Sequence, residues 1–197
     1  MKKVSSLITI ALAASMFQAC INNGKSGSNA TADSANTAKD SVAKDTTSKM
    51  SSTVDSSDTK FAVEAASGGM TEVALGKIAE RKGGDQRIKN FGAMMVKDHG
   101  KAGDKLMAIA KTENITLPSV PLPGDQKDID GLSQKSGADF DTAYVNAMAE
   151  GHKKVLKMFE NAAKNCSDPG LKAFAENTVP VIQKHLDAIT AIQASMK

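Results

Sequence analysis

The chain contains three histidines, His99, His152 and His185, and each falls on the apolar stripe of a different predicted helix. Glu72 occupies the same kind of position on a fourth. Imidazole and carboxylate are ordinary ligands for Zn, Cu, Fe or Mn, so these four side chains could surround one transition-metal ion. Asp98, beside His99, could add a ligand or hold one from behind. The same residues also suit a buried layer in which Glu72 accepts hydrogen bonds from imidazoles and no metal takes part. Both readings stand at this point. Met95 and Met148 lie one turn before His99 and His152, and soft thioethers beside imidazoles suit copper, although methionine is equally a core filler.

The elements that must position these residues are helices. The first runs from about Asp58 to Lys82 and carries Phe61, Ala65, Gly68, Glu72, Leu75 and Ala79 at alternating helical spacings before Gly83-Gly84 ends it. The second opens at Asp85, a good N-cap, and its stripe passes Ile88, Phe91, Met95, His99, Leu106 and Ile109. A long connection rich in proline follows, with a short helix expected near residues 127–133. Ser136 and Asp139 then resemble a capping box that opens the third long helix, with Phe140, Tyr144, Met148, His152, Val155 and Phe159 on its stripe. Ser167 or Asp168 caps the fourth, Pro169 fits its first turn, and Leu171, Phe174, Ile182, His185, Ile189 and Ile192 follow. Pro180 should bend that helix one turn or so before His185.

Each of the four polar residues lies about 20–25 Å from its helix start at about 1.5 Å per residue. They therefore share one layer of a four-helix bundle, whichever way the helices run. The fold class is all-α.

Ahead of this domain, residues 1–19 read as an export leader, with Lys2 and Lys3 before a short apolar stretch. Phe17-Gln18-Ala19-Cys20 resembles a lipobox, which makes Cys20 the expected lipid anchor and membrane attachment, with plain cleavage as the alternative. Ile21 after the cysteine favours an exported protein of the outer membrane. From residue 20 to 57, Ser, Thr, Ala, Asn, Asp and Lys dominate, so a flexible tether is expected before a domain spanning 58–197. The tether's lysines and aspartates balance, which argues against a polybasic membrane patch. Cys166 is the only other cysteine, and it reads as a turn residue packed against a helix end.

Composition excludes several function classes. Once Lys2 and Lys3 are removed, acids and bases are nearly equal, so no electrostatic case for nucleic acid remains. The chain has no Trp and one Tyr, leaving few platforms on which bases or sugars could stack. There is no P-loop, nucleophile elbow or dinucleotide fingerprint. No Glu-x-x-His occurs, which disfavours a carboxylate-bridged di-iron centre. Nothing pairs a nucleophile with a base, so an enzyme is the least supported class.

The runs Glu72-Val73-Ala74-Leu75-Gly76, Phe91-Gly92-Ala93-Met94-Met95-Val96-Lys97-Asp98-His99 and Phe140-Asp141-Thr142-Ala143-Tyr144-Val145 with His152, then Pro180 with His185-Leu186, form a recognisable set. Over about residues 57–195 they resemble the bacterial family of domains of unknown function numbered 4142. That resemblance implies a ferritin-like bundle whose second and third long helices run parallel through the long connection. It also implies that Glu72, Asp98, His99, His152 and His185 are motif residues, and it brings neither an activity nor a metal. Two functions follow as expectations: an envelope lipoprotein binding a transition metal at the Glu/His layer, or a non-enzymatic envelope module whose polar layer is structural and whose outer faces meet a partner.

Overall fold

The computed structural model describes residues 54–196 and, upstream, Ala32 and Asn36. The expected leader, Cys20 and the rest of the expected tether lie outside the described residues. Five helices follow one another: α1 Ser56–Lys82, α2 Gln86–Thr112, α3 Pro123–Ser133, α4 Gly137–Asn165 and α5 Pro169–Ser195. No strand occurs among the described residues, and none of their helices is long and apolar enough to cross a membrane.

Local chemistry explains the boundaries. Asp55 caps α1 by accepting the Ser57 N–H at 2.7 Å, so the helix begins ahead of Asp58. Asp85 and Asp168 cap α2 and α5 in the same way, from the N–H groups of Arg87 and Leu171. Pro123 opens α3 four residues before the expected start, because a first-turn proline needs no donor. The expected capping box at Ser136 does not form. Ser136 makes no side-chain cap bond, and Gly137, with φ 57°, turns the chain into α4 through the left-handed region that glycine alone enters without strain.

Two aspartates then lock the helices into a bundle. Asp58, in the first turn of α1, is 2 % exposed and accepts the Ser167 and Asp168 N–H groups, at 2.8 and 2.7 Å, in the turn between α4 and α5. Asp141, in the first turns of α4, accepts the Gly84 and Asp85 N–H groups in the turn between α1 and α2. Each helix start thus satisfies the orphan donors of the opposite hairpin. The two locks set α1 antiparallel to α4, and α2 parallel to α4, as the crossover requires. α3 climbs along α1, tied by Ser67 to Asp125 and by Lys82 to the carbonyls of Ser133 and Lys135.

These locks expose an internal repeat. One sequence offset relates Asp58 to Asp141, Phe61 to Tyr144, Ala79 to Ala162, Asp85 to Asp168, Ile88 to Leu171 and Phe91 to Phe174. The α1–α2 and α4–α5 hairpins are therefore two copies of one unit. The Asp-Thr-x-aromatic runs at residues 58–61 and 141–144 carry the signal in sequence. Within the first copy the helices cross at Gly76 and Gly92, where a Cβ on either would lie 2.6 Å from the other's carbonyl oxygen. Only glycine permits that approach.

The interior forms two apolar clusters. One gathers Leu75, Phe91, Met95, Phe140, Tyr144, Met148 and Ile189; the other gathers Phe61, Leu106, Phe159, Leu171, Phe174 and Ile182. Upstream, Asn36 clasps the connection after α2: its amide donates to the Thr116 carbonyl at 3.1 Å and its oxygen accepts the Thr116 N–H at 2.8 Å. The expected tether touches the domain at that residue.

Replacing Asp58 by Ala removes the acceptor of two part-buried donors, and urea denaturation should show a loss of about 1–3 kcal/mol. Asp141→Ala, at the far end of the bundle, should add to it independently; a combined loss below about 0.5 kcal/mol would show that the turns hold without these locks. Burial, followed by the charge of Asp58, pushes the Cys166 thiol up to about 12. Alkylation of Cys166 at about pH 8 should accordingly be slower in the native protein than in urea, by on the order of a thousandfold.

Candidate metal centre

Between the two apolar clusters lies one polar layer. Glu72 comes from α1, Asp98 and His99 from α2, His152 from α4 and His185 from α5. His152 and His185 are fully buried, and Glu72 and His99 are nearly so. All four residues expected to share the layer do meet. The three imidazole rings pack with centroids 5.2 to 6.0 Å apart, and Phe91 covers two of them from the side of the first cluster.

One ring nitrogen of each histidine is held from behind. His99 donates from Nδ1 to the Glu72 carboxylate at 2.9 Å. His152 donates from Nδ1 to the Met148 carbonyl at 2.9 Å, with the other Glu72 oxygen 3.5 Å away. His185 donates from Nε2 to the Asp98 carboxylate at 3.0 Å. These partners fix which nitrogen of each ring is held. The opposite atoms, His99 Nε2, His152 Nε2 and His185 Nδ1, are buried and have no hydrogen-bond partner. One nitrogen from each ring lies within 4.8 Å of one from each of the others. Three points so spaced fit around a centre no more than about 2.8 Å from each, against about 2.0–2.1 Å for a metal–imidazole bond. An inward shift of about 0.7 Å per ring closes the difference.

Sequence proximity is misleading at Asp98. Its neighbour in the chain is His99, yet it serves His185 across the interface between α2 and α5. Glu72, expected among the ligands, faces the Nδ1 side of two histidines. Met95 and Met148, the thioether candidates, belong to the first apolar cluster, and Met148 meets His152 through its carbonyl. Phe91 and the Met148 carbonyl were not singled out as site groups in the sequence. Phe91 was visible only as a stripe residue, and a main-chain acceptor leaves no trace in residue type.

The electrostatics divide the three histidines. Burial alone would raise the Glu72 carboxyl, but the charge and hydrogen bond of His99, helped by His152 and His185, hold it below its ordinary value. Burial works against a charged His99 as well, and Glu72 outweighs it, so His99 is raised. For His152 and His185 burial prevails, and both are lowered despite Glu72 and Asp98. Without metal, the pairing with Glu72 thus favours the charged form at His99, while burial favours the neutral forms of His152 and His185.

The match to known proteins agrees with this architecture. The family of domains of unknown function 4142 (DUF4142) matches residues 43–192. The chain belongs to the DUF4142 family. Among curated proteins, none matches it. A crystal structure of a DUF305 fragment from Deinococcus radiodurans is similar in fold, with a TM-score of 0.63 over 72 % of this chain and 98 % of that one, at 9 % identity. At that identity the likeness concerns the fold alone. The DUF4142 assignment gives no activity, so the chemistry of this member rests on its own layer.

NMR titration of the metal-free protein should place His99 above, and His152 and His185 below, the ordinary value of 6.5. In Glu72→Gln the opposing charge is gone, so burial should carry His99 below that value too. An unmoved His99 would mean that Glu72 does not control it.

Proposed function

We propose that this protein is an envelope-anchored DUF4142 lipoprotein that holds one transition-metal ion through His99, His152 and His185. The observation that carries this reading is the meeting of three buried imidazoles from three helices, each with one nitrogen that has no hydrogen-bond partner, and with ring nitrogens of all three within 4.8 Å of one another. A purely structural layer accounts for the Glu72, Met148 and Asp98 contacts but leaves those three nitrogens desolvated without compensation, at a cost of about 1–3 kcal/mol each.

Glu72 and Asp98 act behind the ligands. They fix the ring tautomers and offset the charge of a divalent ion in a site that water does not screen. Three nitrogen donors suit zinc, copper or iron better than manganese, which prefers oxygen. Three protein ligands also leave a further coordination position, the pattern of sites that exchange a ligand rather than merely brace a fold. The leader, the lipobox-like Phe17-Gln18-Ala19-Cys20 and the spacer that follows support attachment to the envelope, with the outer membrane favoured by Ile21.

Protein purified without an affinity tag or chelator should carry close to one equivalent of metal by elemental analysis. The His99→Ala, His152→Ala double variant should carry almost none. Adding zinc or copper to metal-free wild type should raise its unfolding temperature, in proportion to the logarithm of free metal above the dissociation constant. Metal-free protein whose stability is indifferent to zinc, copper, iron and manganese would overturn the assignment.

A further inference from the structure

Beneath the polar layer, on the side of the second apolar cluster, a cavity of about 630 Å³ opens between α1 and α2. Its walls are Leu106, Met107, Leu117, Phe159, Phe174 and Ile182, and its deep end reaches Glu72 and His99. Four glycines inside the two helices, Gly68, Gly69, Gly100 and Gly103, line it as well. Interior glycine costs a helix about 1 kcal/mol relative to alanine, so four of them need a reason. Close packing is not the reason, because a Cβ at any of the four would meet nothing within 4 Å. Gly76 and Gly92, at the helix crossing, are the opposite case.

The internal repeat supplies a comparison within the same chain. The second copy places His152 and Leu186 at the positions of Gly69 and Gly103. At those two positions the second hairpin carries side chains where the first leaves open space. At one end of the space Glu72, 6 % exposed, belongs to the lining, so a buried carboxylate borders it. Met107, at 64 % exposure, is the most exposed large apolar side chain among the described residues, and it also belongs to the lining. Leu117 and Pro118 complete one wall, next to the Thr116 main chain that Asn36 clasps.

We infer that this cavity binds an uncharged, predominantly apolar small molecule that carries one hydroxyl-type head, with the tail among Leu106, Phe159, Phe174 and Ile182 and the head donating to the Glu72 carboxylate. The volume and apolar lining match those of small-molecule sites, and a buried carboxylate at one end gives such a ligand an orientation. Charge selects the head group. Glu64, Glu72 and Asp104 contribute carboxylates to the lining and Lys77 the one ammonium, so an anionic head is repelled where a neutral one is not. The inference stands apart from the metal assignment, because the apolar walls that hold the tail, the four glycines and Glu72 are not among the three proposed ligands.

The test uses the uncharged fluorescent probe N-phenyl-1-naphthylamine with chelator-treated full-length protein. One equivalent of probe should bind, and 1-dodecanol should displace it at least about tenfold more effectively than dodecanoate does. Gly103→Leu, which copies the second repeat, and Gly68→Leu should each weaken probe binding about tenfold or more, with unfolding temperature unchanged or raised. Metal content of these variants should equal that of wild type, so loss of the probe site and loss of the metal site are separately visible. Equal displacement by dodecanoate in the wild type overturns the neutral-head assignment without recourse to any variant. Undiminished probe binding in a folded Gly103→Leu or Gly68→Leu protein overturns the cavity as the site.

Discussion

The structure depends on keeping charge compensated in the middle of an apolar bundle. Glu72 cannot be buried there alone, since a lone desolvated carboxylate would cost several kcal/mol or else take up a proton. His99 donates a hydrogen bond to it, and His152 and His185 stand close enough to favour the carboxylate as well. That requirement constrains all four long helices at once, because the partners come from α1, α2, α4 and α5 and reach each other only at one rotation and one height. A shift of a single residue on any helix would turn its polar side chain away from the layer by about 100°.

The ends of the bundle are built to hold that height. Asp58 and Asp141 each reach from a helix start into the turn of the other hairpin, so the two hairpins cannot slide along each other without breaking part-buried hydrogen bonds at both ends. The contact of Gly76 with Gly92 pins the first hairpin from within. The doubled unit explains why the two locks are equivalent, and it also shows where the copies have diverged. Glu72 and His99 come from the first copy, His152 and His185 from the second, and none of the four stands opposite another in the repeat. The polar layer, like the cavity beneath it, belongs to the differences between the copies rather than to what they share.

Much of this was legible in the residues. Helical period, caps such as Asp85 and Asp168, and the proline-rich connection located the long helices to within a few positions, since these are local properties of the chain. The convergence of Glu72, His99, His152 and His185 followed from their depth along those helices. Other features were hidden. The capping box expected at Ser136 gave way to the backbone of Gly137. Asp58, which reads as a helix start, is a buried acceptor for a turn more than a hundred residues away. The repeat leaves only short matching runs in the sequence and is defined by the equivalent contacts of Asp58 and Asp141.

The sequence by itself determined the all-α class, the order of the long helices and the depth at which four polar side chains must meet, because period and distance along a helix are properties of the chain alone. Only the tertiary structure decided which nitrogen of each histidine is held and which is left without a partner, that Asp98 serves His185 rather than its neighbour His99, and that four glycines enclose a space. Those features are set by groups from other helices, and an unfilled volume has no residue to announce it.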